Sequence, residues 1–129
     1  MDKSFKKIRK WIYKKGYTLR FGISDSVDYE KGEVTLRRKQ SNIIFAALHE
    51  CGHIVVGNKS NYDRDYKSII KADNVDGRHY RSNLYRYKKI KEEIEAWEEG
   101  FKLSKKLGIK VDKDEYDKYA SKYLITYTK

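Results

Sequence analysis

The stretch Leu48-His49-Glu50-Cys51-Gly52-His53 contains the pattern H-E-x-x-H and lies inside an apolar run over residues 43–56. Its two histidines are four positions apart, so on a helix they share one face and both imidazoles can reach a single metal ion. Glu50 directly follows the first histidine, and its side chain points to one flank of the pair. A carboxylate at that place can hold a water molecule and accept its proton, as metal-assisted hydrolysis requires.

This pattern is short, and it also occurs in helices that bind nothing. Only three histidines occur in the chain, and two of them belong to the pattern. The surrounding apolar residues predict a buried helix, where two histidines and a glutamate need polar partners. We favour a zinc ion as that partner. The alternatives are a pair of core histidines with other hydrogen-bond partners, and a metal that is bound without catalysis.

The motif resembles that of the zincin metallopeptidases. The metzincin branch has a glycine and a histidine where this chain has Val56 and Lys59, which argues against that branch. A later segment, E-E-I-E-A-W at residues 92–97, is similar to the E-x-x-A-N stretch of the ImmA/IrrE-like metallopeptidases, with Trp97 in place of the asparagine. Residues 48–109 also resemble small phage-encoded predicted metallopeptidases, which share E-A-W-x-x-G before a Leu-Gly-Ile helix end.

The resemblance covers roughly residues 17–108 and implies a minimal zincin-like domain. In such a domain His49, His53 and Glu93 would bind Zn2+, and Glu50 would act as the general base. A small twisted sheet would pack beside the metal helix, with an edge strand along the cleft. An extended peptide could add to that edge as a further strand.

Four neighbouring glutamates, Glu92, Glu93, Glu95 and Glu98, are candidates for the third ligand. At 3.6 residues per turn, Glu93 falls on an apolar stripe with Ile94 and Trp97, which we predict to face inward. Glu95 falls on a charged outer face, and Glu92 lies nearer the boundary. A carboxylate inside an apolar stripe needs a cation, so we predict Glu93 as the ligand, with His79 as the alternative.

The pattern of apolar residues predicts an α+β fold. We expect an amphipathic helix over residues 3–15, a strand over 17–23 with Ile23 on its buried face, and a hairpin over 27–36 whose residues 33–38 form the cleft edge. The metal helix would begin at Ser41 or Asn42 and end at Gly57. Residues 58–81 read as a loop, either a substrate lid or a simple excursion. Helices over 82–107 and 112–127 complete the chain.

Composition limits the functional classes. The 129 residues predict one domain over 1–129. A single cysteine excludes an intramolecular disulfide, and neither a signal peptide nor a transmembrane segment is visible. We therefore expect a cytoplasmic protein, a monomer, that makes no use of a membrane. The formal net charge of +11, with eight basic residues among the first twenty, is compatible with nucleic-acid binding through the N-terminal helix or with a solvated basic face.

The leading hypothesis is a zinc metallopeptidase that cleaves a protein or peptide substrate, for example a regulator in a phage setting. One alternative is a non-enzymatic zincin-fold module that binds protein or nucleic acid through its basic surface. A metal-dependent amidase or hydrolase of small substrates would use the same residues. The sequence carries no signal for the identity of the substrate.

Overall fold

The computed structural model describes residues 2–58 and 83–128. Over these ranges the elements are α1 (Lys3–Lys14), β1 (Thr18–Gly22), β2 (Ser26–Asp28), β3 (Glu33–Arg37), α2 (Ile43–Gly57), α3 (Asn83–Lys106) and α4 (Lys113–Leu124), with a 3-10 turn at Ile125–Thr128. The predicted α+β class is confirmed. His79 and nearly all of the predicted loop lie outside the described residues.

Helix α2, which carries the H-E-x-x-H pattern, is the central element. The Asn42 side chain begins it by accepting a hydrogen bond from the Phe45 amide at 3.1 Å, which satisfies an amide that the helix start leaves unpaired. The side chains of Leu48, Cys51 and Ile54 are fully buried. Because α2 is apolar nearly all round, it contacts α1, β2, β3 and α3 on different sides.

Helices α2 and α3 approach each other closely at two glycines. A methyl group at Gly52 would overlap the Ala96 carbonyl, and one at Gly100 would lie 2.5 Å from the Leu48 carbonyl oxygen. No side chain therefore fits between the two backbones at these points. This contact fixes how near α3 comes to the histidine-bearing face of α2.

The sheet has the strand order β1-β3-β2, with β3 parallel to β1 and antiparallel to β2. Val34 on β3 is aligned with both Leu19 and Val27, which confirms the predicted hairpin. The prediction that residues 33–38 form the cleft edge is wrong, because β3 is hydrogen-bonded on both sides. In the part of the chain that the structure describes, β2 lies at the edge of the sheet next to the site. The burial predicted for Ile23 is also wrong: β1 ends at Gly22, and Ile23 is 98% exposed.

The N-terminal helix docks as its apolar stripe predicts. Phe5, Ile8 and Ile12 of α1 are buried in the core. Gly16 follows the helix with a φ of +86°, a conformation that glycine adopts without strain. No helix in the described part of the chain is long and apolar enough to cross a membrane.

Helix α4 packs against α3, the helix that carries Glu93. The Asp112 carboxylate caps α4 by accepting a hydrogen bond from the Glu115 amide at 3.0 Å, as the sequence predicted. The buried Tyr116 hydroxyl donates to the Trp97 carbonyl at 2.6 Å. This bond ties α4 to the part of α3 that faces the site.

The glycine contact leaves no room for a side chain at residue 52. Gly52→Ala should lower the free energy of unfolding by about 3 kcal/mol, the upper end for an overpacked core, because the helices must move apart. Denaturant titration measures this change.

Gly57→Ala in the same helix is the matched control. In the described part of the chain, the three atoms nearest its new methyl group all belong to the Tyr29 side chain, the first at 3.0 Å, so the free energy of unfolding should stay within about 1 kcal/mol of the wild type. Equal destabilisation by the two substitutions would contradict the close-approach argument.

Candidate metal centre

Three side chains from α2 and α3 meet at one point. His49 and His53 lie one turn apart on α2, and their Nε2 atoms are 3.1 Å apart. Glu93 on α3 directs Oε2 between them, 2.8 Å from His49 Nε2 and 3.2 Å from His53 Nε2. The structure thus brings together the three residues that the sequence predicted as ligands.

The spacing of these three atoms fits a metal ion. They lie on a circle of about 1.8 Å radius, which is shorter than the ~2.0–2.2 Å bonds from zinc to imidazole nitrogen or carboxylate oxygen. A single point just off their plane is therefore at bonding distance from all three. Two overlapping sets of side chains around this point are close enough to hold a metal ion: His49 with Glu50 and His53, and His53 with Glu92 and Glu93.

The electrostatics of the cluster favour positive charge at this point. Burial lowers the pKa of His49, but hydrogen bonds to Glu50 and Glu93 outweigh burial and raise it to about 9. Burial raises the pKa of Glu93, yet the hydrogen bonds and charges of the two histidines hold it well below its ordinary value. Both shifts follow from the burial of carboxylates and imidazoles side by side, where each charged form stabilises the other.

Glu50 lies against the first histidine. Its Oε2 is 3.2 Å from His49 Nδ1, and the residue is 4% exposed. It also lines the cleft that opens over the histidines. A carboxylate in this position can both orient the His49 ring and accept a proton from a molecule in the cleft.

Trp97 supports His49 by stacking. The two rings are parallel within 4°, with centroids 4.0 Å apart. The resemblance to known peptidases would place an asparagine here as a hydrogen-bond partner. The Trp97 indole N–H has no hydrogen-bond partner among the described residues, so the ring orients His49 through contact area alone.

Glu92 is the residue that sequence reasoning missed. It was predicted near the boundary, but it is 5% exposed, with Oε1 3.7 Å from His53 Nδ1 and Oε2 without a hydrogen-bond partner in the described part of the chain. The signal lay in Ala96, one turn later on the same face: this small, fully buried residue marks the contact with α2. The inward face of α3 is therefore rotated from the predicted one, and Ile94 is 39% exposed.

A cleft of about 560 Å³ gives access to the cluster. Its floor is formed by α2 and α3, and one wall by Ser26 and Val27 of the edge strand β2. Tyr119 and Tyr123 of α4 form another wall. This volume is within the ~300–1,000 Å³ range of ligand sites.

An Arg37 guanidinium lies in the same cleft in a fixed position. The Asp25 carboxylate accepts from the Arg37 amide at 2.7 Å and from Arg37 Nε at 3.3 Å. The proximity of Asp25 raises the pKa of Arg37 further. Among the described residues, the cleft lining thus contains two basic side chains apart from the histidines: Arg37, which Asp25 holds in place, and Lys89.

Two other candidates do not take part. Glu95 does not line the cleft, in agreement with its predicted outer position. Cys51 is fully buried away from the cleft, and burial raises the pKa of its thiol. It is therefore an inert thiol at neutral pH.

Comparisons of the chain with protein-family models, with curated proteins and with solved structures found no match.

Proposed function

We propose that this protein is a zinc-dependent peptidase. The observation that carries the proposal is the triangle formed by His49 Nε2, His53 Nε2 and Glu93 Oε2, because two imidazoles and one carboxylate are a ligand set of catalytic zinc sites. Zinc bound there supplies Lewis acidity and lowers the pKa of a bound water to about 7. The remaining steps depend on residues of this chain.

Glu50 is the general base in this proposal. It is buried at the floor of the cleft, and its side chain contributes no atom to the triangle. It accepts the proton of the attacking water and then delivers it to the leaving amine. Trp97 stacks on His49, and Glu92 lies beside His53 Nδ1. These two contacts keep the Nε2 atoms directed at the same point.

An extended peptide is the substrate shape that the cleft favours. Among the described strands, β2 pairs only with β3, and its residues Ser26 and Val27 line the cleft. Main-chain hydrogen bonds to this edge would hold a peptide across the histidines. Hydrolysis of a small amide is the second candidate, which the cleft volume favours.

The third-ligand assignment predicts different outcomes for two neighbouring glutamates. The protein should bind one zinc ion per chain, and Glu93→Ala should weaken zinc binding by more than about 100-fold, since even an outer partner of a ligand costs about 10–100-fold. Glu95→Ala should leave the zinc affinity unchanged. Elemental analysis and titration against a chromogenic chelator measure both; absence of zinc binding in the wild type would overturn the proposal.

The role of Glu50 predicts a separation of binding from catalysis. Glu50→Gln should retain zinc and the fold but lose about 10²–10⁴ in hydrolysis rate. Mass spectrometry of a proteome-derived peptide library would report cleavage, with removal and restoration of zinc as the control. Cleavage by Glu50→Gln at the wild-type rate would contradict this role.

The position of Glu92 predicts that it acts through His53. Glu92→Gln keeps the shape but removes the charge, so zinc affinity should fall by about 10–100-fold. The visible absorption of the Co2+-substituted protein should change as well, because the orientation of a ligand changes. Glu95→Gln is the matched control, because it removes the same negative charge from the same helix. An equal loss of zinc affinity in that variant would show that Glu92 does not act through His53.

A further inference from the structure

Positive charge is concentrated at the N-terminal end of the chain. The first twenty residues contain eight of the thirty basic residues but only one of the nineteen acidic ones, Asp2. They therefore contribute +7 of the formal net charge of +11. So uneven a distribution points to a partner of opposite charge more than to a general need for solubility.

The structure arranges this charge as a straight row. Burial of Phe5, Ile8 and Ile12 fixes the rotation of α1. The opposite side of the helix carries five exposed lysines at three- and four-residue spacing, here called the lysine face: Lys3, Lys6, Lys7, Lys10 and Lys14. No acidic side chain lies within α1 to neutralise this row.

The basic surface extends beyond α1. The Lys7 ammonium lies beside Gly108, where an added methyl group would be 3.6 Å from Lys7 Nζ. Exposed lysines precede and follow that glycine in sequence: Lys105, Lys106 and Lys110. None of the residues lining the cleft belongs to α1, so the basic surface and the metal centre can be occupied independently.

Two aromatic rings beside the lysine face each have a basic side chain above them. The Arg9 guanidinium lies over the Tyr13 ring, 5.6 Å from its centroid, and the Lys15 ammonium lies over Trp11 at 5.5 Å. Free aromatic faces are what single-stranded nucleic acids use for base stacking. The basic side chain over each ring competes with base stacking there, which favours contacts with phosphates.

We propose that the lysine face binds the phosphate backbone of duplex DNA. The row from Lys3 to Lys14 is about 16 Å long at 1.5 Å per residue, and phosphates of one DNA strand follow each other every ~3.4 Å along the axis. The row therefore spans nearly half a turn of the duplex, and each lysine can neutralise at most one phosphate, which gives up to five contacts. The rigid spacing of a docked helix suits a rigid duplex, and the contact requires no base-specific groups.

The first test measures salt dependence with the wild-type chain. Fluorescence anisotropy of a labelled 20-base-pair duplex, between about 50 and 200 mM salt, should give a slope of log affinity against log salt near −4.5, since each phosphate contact contributes about −0.9. No binding at 50 mM, or a slope shallower than about −2, would overturn the proposal. Tighter binding of a 20-nucleotide single-stranded RNA would overturn the choice of duplex DNA.

Two triple variants with equal net charge separate a located surface from overall charge. The first variant combines Lys6→Gln, Lys10→Gln and Lys14→Gln. Its slope of log affinity against log salt should fall in magnitude by about 3. The matched control replaces three exposed lysines that lie outside α1 and do not line the cleft. Its substitutions are Lys91→Gln, Lys118→Gln and Lys122→Gln. The control should keep nearly the full slope. Equal losses in both variants would show that only the net charge matters and would overturn the assignment to α1.

Discussion

The metal centre depends on a steric constraint, the contact of α2 and α3 without an intervening side chain. Gly52 meets the Ala96 carbonyl and Gly100 meets the Leu48 carbonyl. Gly52 lies between the two histidines in sequence, and Ala96 lies one turn after Glu93. The distance from Glu93 to both imidazoles is therefore set by the backbones themselves. A larger residue at either glycine would push the two helices apart. Glu93 would then lie too far from the imidazoles to share one metal ion with them.

The same contact creates an electrostatic problem that a cation solves. Glu50, Glu92 and Glu93 are all buried beside two histidines, and unpaired carboxylates in such surroundings are costly. One positive charge at the centre of the triangle interacts with all of them. The raised pKa of His49 and the lowered pKa of Glu93 both come from the hydrogen bonds between these buried carboxylates and imidazoles. Stability and metal binding are thus linked through the same few atoms.

The sequence predicted most of this arrangement because local patterns determine it. The i, i+4 spacing placed both histidines on one face, Asn42 and Asp112 marked helix starts, and the wheel of α3 placed Glu93 inward.

The errors have physical reasons. Which strand lies at a sheet edge depends on the parallel β1–β3 pairing, a long-range contact that alternation does not encode. Burial of Glu92 and exposure of Ile94 depend on the glycine contact, which rotates α3 relative to its hydrophobicity pattern. The stacking of Trp97 on His49 likewise required the helix packing, since composition alone does not orient an indole.

The two halves of the centre are far apart along the chain, so forming it closes a long loop. His53 and Glu93 are 40 positions apart, and residues 59–82 join the helices that carry them. Closing a loop costs a free energy that grows only with the logarithm of its length, so doubling it costs about 0.6 kcal/mol. Since α2 and α3 hold each other through their own backbones, insertions between them would leave the ligand geometry intact. This connection is therefore the place where related chains could differ most in length while keeping the same centre.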